Sequence, residues 1–75
     1  MILSSKDGKY KREVNPCRMA EEPLTFGIPI KLSDELWKIL KEDKEFILDG
    51  RICKIVQEID IGENTWFIFE TSEDL

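Results

Sequence analysis

The stretch "EFILDGRICKIVQEIDIGENTWFIFET", residues 45–71, decides the fold, because it holds three apolar runs joined by two short turn sequences. Between "FIL" and "RICKIV" stands Asp49-Gly50, a two-residue loop of type I′: both residues tolerate positive φ, and the twist of that turn suits paired strands. "DIGEN" supplies a second turn before "TWFIFET". Three antiparallel strands are expected. Register is set wherever one face is buried, and Phe46 with Leu48, Ile55 with Ile59, and Phe67 with Phe69 are the expected inward residues. Strand side chains alternate, so Trp66 and Ile68 must then point the other way. A strand that is apolar on both sides is covered on both sides. The rest of the chain is too short for a second helical layer, which leaves barrel curvature, the N-terminal residues or another molecule to cover the Trp66/Ile68 face.

Just before this stretch, "KLSDELWKILKEDK" has the marks of a helix over residues 34–43. Ser33 is the expected N-cap, Asp34 and Glu35 sit where the helix dipole favours anions, and Lys38, Lys41 and Lys44 balance the other end. That cap would place Leu32 and Trp37 at the spacing of a hydrophobic staple. Leu36, Ile39 and Leu40 define the stripe that packs on the sheet. Further back, "LTFGIPIKL" alternates with Leu24, Phe26, Ile28 and Ile30 on one side. Pro29 cannot donate to a ladder, so this strand is expected at an edge, or bulged around Gly27 and Pro29. Pro16, Pro23 and Pro29 disfavour a helix across "NPCRMAEEPLTFGIPIKLS", residues 15–33. "KYKREV" reads as a short edge strand blunted by lysines, after a turn at Asp7-Gly8. Residues 1–8 form a basic start whose order the sequence leaves open.

These elements make a single domain, residues 1–75, of α+β class in the order β-β-α-β-β-β, with a small curved antiparallel sheet or open SH3-like barrel and one packed helix. At this length a domain buries only about 60% of its unfolded surface, so a partner or a second copy would add stability. The "FILDGRICKIV" hairpin resembles strand-turn-strand segments of small β-rich proteins of viruses and plasmids, a likeness over 11 of 75 residues that mostly restates turn chemistry.

Composition excludes more than it assigns. With no histidine, Ser-His and Cys-His nucleophilic arrangements are absent, and so is the commonest acid-base group near neutral pH. No catalytic residue is expected. Glu21-Glu22 and Glu73-Asp74 are carboxylate pairs on polar segments and read as solvated surface. The four glycines stand apart, so no phosphate-cradling loop or cofactor site is expected. Asp60, Glu63 and Asn64 surround Gly62 without the spacing of a calcium loop, and the two cysteines lack the ligand set of a zinc site. No metal is expected. Cys17 and Cys53 are read as free thiols of a reducing, cytoplasmic compartment, since the N-terminal residues lack a signal-peptide pattern and no apolar run is long enough to span a membrane.

Net charge is −5 but unevenly placed: residues 1–18 carry five bases and two acids, and from Gln57 onward there are six acids and no base. Two contact surfaces follow. Trp66 and Ile68, with Glu70, Glu63 and Asp60 around them, read as a site for a protein partner, as on a small inhibitor or adaptor, or for a second copy in a homodimer. Lys9, Tyr10, Lys11 and Arg12 place an aromatic among bases, the pattern of a nucleic-acid arm, although the acidic body disfavours phosphates. A third reading makes the acidic body a mimic of nucleic acid that blocks a nucleic-acid enzyme.

Overall fold

A computed structural model describes residues 1–19 and 22–72; Glu21, Glu73 and Asp74 of the two carboxylate pairs fall outside them. Seven strands and one helix follow each other among the described residues: β1 (Ile2–Ser4), β2 (Lys11–Glu13), β3 (Cys17–Arg18), β4 (Thr25–Lys31), α1 (Glu35–Asp43), β5 (Glu45–Leu48), β6 (Arg51–Ile61) and β7 (Asn64–Glu70). Among the described residues they form one antiparallel sheet in the order β2-β1-β5-β6-β7-β4-β3, curled into a half-barrel around the helix. The α+β class and the three strands after the helix are as expected from the sequence. Four strands, not two, precede the helix, because Ile2–Ser4 and Cys17–Arg18 also pair.

Local chemistry explains most elements. Asp49 and Gly50 both have positive φ, at 47° and 85°, and close the β5–β6 hairpin between Leu48 and Arg51. Gly62, at φ 60°, opens the two-residue turn between Ile61 and Asn64. The turn at Asp7-Gly8 joins β1 to β2, with Gly8 at φ 78° and the Asp7 carboxylate accepting from Ser5 Oγ and the Lys9 amide. β2 lies at one edge of the sheet, as "KYKREV" suggested. β4 differs from expectation: it runs unbulged between β7 and β3. Pro29 is still tolerated, because β3 pairs only with Phe26 and Gly27 and leaves the next residues of β4 bare on that side. Leu24 does not join the strand; it occupies the preceding turn at φ 67°.

The helix starts one residue later than expected. Asp34, not Ser33, is the N-cap, accepting from the Leu36 amide at 3.0 Å. The Leu32–Trp37 staple consequently does not form, and Leu32 is exposed. Trp37 is held differently: its Nε1 donates to Thr65 Oγ1 at 2.7 Å, and Thr65 donates on to Asp60 at 2.7 Å. Lys44 ends the helix at φ 60°, its amide donating to the Leu40 carbonyl.

The core lies between the helix and the inner sheet face. Leu36 and Leu40 pack with Leu3, Phe26, Ile28, Ile30, Phe46, Leu48, Cys53, Phe67 and Phe69. Phe69 stacks on Phe26 and meets Phe46 edge-on at 4.9 Å between centroids.

Ile59 overturns its sequence-based placement: it is exposed, not inward. The cause is a bulge, since Ile55 pairs with Phe69 and Gln57 with Ile68, leaving Val56 as an extra residue. Past that point the parity of β6 reverses. Glu58 and Asp60 turn toward the helix side, while Gln57, Ile59 and Ile61 turn outward beside Ile68, Trp66 and Asn64. Deleting Val56 removes the extra residue without changing any of these pairs, so it should take only Val56 from the outer face, leave Ile59 and Ile61 facing outward, and alter stability by less than about 1 kcal/mol. Denaturant unfolding and methyl NMR would check this; a larger loss, or a buried Ile59, would contradict it.

Two carboxylates pin the helix ends. Asp34 binds Arg12 of β2 through both oxygens, at 2.7 and 3.0 Å, and Glu58 of β6 binds Lys41 at 2.7 Å and Lys44 at 3.0 Å. The Arg12 guanidinium, helped by the Leu36 amide, holds Asp34 below its ordinary pKa, and Lys41 followed by Lys44 does the same for Glu58. A depressed carboxyl adds stability that is complete above its unfolded value, about pH 4, and is lost as pH falls through the folded value. Denaturation midpoints should therefore fall as pH drops below about 4, and fall less in an Asp34→Asn/Glu58→Gln double variant. Equal acid sensitivity of the two proteins would contradict this pinning.

Candidate contact surface

The outer face of the sheet is built in rows. Glu45, Lys54, Glu70 and Thr25 lie side by side across β5, β6, β7 and β4. The next row runs Gln57, Ile68, Gly27, Cys17, the following one Ile59, Trp66, Pro29, and the last Ile61, Asn64, Lys31. Two apolar rows are thus bounded by a charged row at one end and by Lys31 and the turn residue Glu63 at the other. A smaller apolar pair, Ile47 and Ile52, lies beyond the charged row.

The reversal at Val56 gives this face its character. Ile52 is 69%, Val56 52%, Ile59 39% and Ile61 57% exposed, four branched aliphatic side chains on a single strand, whereas Ile68 is only 6% exposed. Ile68 is covered by its own chain. Opposite it stands Gly27, and a Cβ there would meet Ile68 Cδ1 at 3.0 Å, Met19 Cε at 3.2 Å and Trp66 Cε3 at 3.4 Å. The three side chains lean into the space that glycine leaves. Gly27→Val should push them out at a cost of about 1–2 kcal/mol, with displaced Met19 and Ile68 methyl resonances. Unchanged stability and unshifted methyls would contradict that packing.

A shallow groove of about 400 Å³ opens beside this cover, with Met19, Val56, Ile59 and Ile68 as its apolar lining and Glu22 and Glu70 among its polar residues. Of the residues picked from sequence, Trp66, Ile68 and Glu70 share the outer face, with Trp66 half-buried and Glu70 exposed. Glu63 is exposed in the adjoining turn. Asp60 does not join them, since its carboxylate accepts from Thr65 on the helix side. Ile52, Val56, Ile59 and Ile61 are exposed apolar residues that the sequence did not place on this face; for Ile59 and Ile61 the reason is that alternation does not run straight through the bulge.

The alternative arm is placed otherwise. Lys9 and Lys11 are exposed, but Tyr10 packs against the core and donates its amide to Ser5 Oγ, while Arg12 is engaged by Asp34. The stretch forms a hairpin with β1, and the Met1 amine meets Glu13 and the Val14 carbonyl. Cys17 is exposed on the outer edge, and Cys53 is buried with its thiol pKa pushed up by that burial; both thiols are free. Among the described residues, no cluster of His, Cys, Asp or Glu could hold a metal ion, and no helix is long and apolar enough to cross a membrane. Comparison with protein-family models, curated proteins and solved structures finds no match, so any functional reading rests on this geometry.

Proposed function

We propose that the chain is a non-enzymatic protein-interaction module, of the kind that serves as a small inhibitor or adaptor, and that its outer sheet face is the contact surface. One observation carries this reading. A bulge turns Ile59 and Ile61 to solvent in a domain that has little apolar area to spare, and it turns Glu58 and Asp60 inward to be satisfied by lysines and a buried threonine. Bulges re-aim side chains in this way next to functional sites. Trp66 and Pro29 extend the same row, and an aromatic flanked by aliphatic residues is what interface hot spots are made of.

The test is affinity capture from the cells that express the protein, using the wild type beside an Ile59→Lys/Ile61→Lys variant whose fold is checked by tryptophan fluorescence. The wild type should retain a protein that the folded variant does not. Identical retention by both would contradict the reading. Light scattering on the wild type separates a homodimer from a foreign partner: a dimer mass that falls to monomer in the variant assigns the face to a second copy.

A further inference from the structure

We infer that the groove at Met19, Val56, Ile59 and Ile68 takes a protein segment in which an aliphatic or aromatic anchor is flanked by lysine or arginine, with Glu22 and Glu70 reading the cation. This rests on the outer face being a protein contact surface and says what kind of partner it fits. The floor of the groove is apolar, and among the described residues no lysine or arginine lines it. Glu22 and Glu70 stand in its wall, and neither carboxylate has an ion-pair partner among the described residues, although Lys54 sits in register with Glu70. Two exposed carboxylates with no ion-pair partner among the described residues, beside an apolar depression, complement a cation carried next to an apolar side chain.

Charge also argues against other occupants. Two copies stacked on this face would bring together chains that each carry a net charge of −5 and whose grooves are lined by carboxylates, with no lysine or arginine among the described lining residues. Anionic lipid headgroups and nucleic-acid phosphates would meet the same carboxylates and be repelled. The aliphatic stem of a lysine can lie along Ile68 and Val56 while its ammonium reaches Glu70, so a single side chain can use both parts of the groove.

The experiment is a methyl NMR titration of the full chain with a helical peptide of leucine and lysine, and with the same peptide carrying glutamate in place of lysine. The lysine peptide should shift the Met19, Val56, Ile59 and Ile68 methyls, with affinity falling about fivefold in a Glu22→Gln/Glu70→Gln variant, the effect of two exposed charge contacts. Added salt should weaken it too. Equal binding of the two peptides, or wild-type affinity in the Gln variant, would overturn the assigned partner chemistry and leave the outer face as a contact surface. If neither peptide moves these methyls, the inference is overturned, and the capture experiment decides separately whether the contact surface falls with it.

Discussion

Replacing Phe69 by alanine should remove about 3–5 kcal/mol, close to the whole stability of a domain this small. Phe69 is fully buried on β7, stacks on Phe26 of β4 and meets Phe46 of β5 edge-on. It therefore joins strands that are not neighbours in the sheet, and its ring has no substitute when removed. The loss has two parts: the apolar surface no longer buried, and the cavity that Phe26, Phe46 and Ile55 cannot collapse to fill. Urea unfolding followed by tryptophan fluorescence measures it. A loss below about 1 kcal/mol would mean that this cluster is not the centre of the core.

The second large effect is expected at Asp34. One carboxylate caps the helix through the Leu36 amide and holds Arg12 of the edge strand β2 through both oxygens, so a single substitution unfastens two elements. Asp34→Ala should cost about 2–3 kcal/mol, about 1 from the cap and the rest from the charge-assisted pair and the freed strand. Asp34→Asn keeps a capping acceptor and loses the ionic part, so its cost should be about half as great. Equal losses would assign the effect wholly to Arg12, and no loss in either would remove Asp34 from the account.

Most of the fold was legible because short-range rules agreed with one another. Asp49-Gly50 could only be a tight turn, Leu36 and Leu40 could only face a core, and Phe67 and Phe69 share a parity that the sheet respects. The failures have physical causes of the opposite kind. The cap shifted from Ser33 to Asp34 because Arg12, distant in sequence, adds a second reason for the carboxylate to sit there. With the cap at Asp34, Leu32 and Trp37 no longer stand at staple spacing, and the indole instead donates to Thr65, a partner distant in sequence. Strands β1 and β3 are too short to show any alternation of their own; β3 forms by pairing with the next strand, β4, and β1 by pairing with β2 across the Asp7-Gly8 turn and with the distant β5.

The candidate site shows the same division. Trp66 and Ile68 were placed on the outer face by alternation alone, and the structure keeps them there. Ile59 and Ile61 could not be placed, because one extra residue at Val56 inverts everything that follows, and "KIVQEIDI" offers apolar residues in either parity. The cover over Ile68 was likewise illegible: it needs Gly27 and Met19, from two other segments, to meet β7.

The reversal at Val56 leaves an apolar face open to solvent. A soluble paramagnetic agent added to methyl-labelled protein, while light scattering records its mass, reports that exposure. Strong broadening of Ile52, Val56, Ile59 and Ile61 is expected, with Ile28, Leu36 and Leu40 unaffected. Methyls of Ile59 and Ile61 protected as fully as Ile28 in a particle of monomer mass would contradict it.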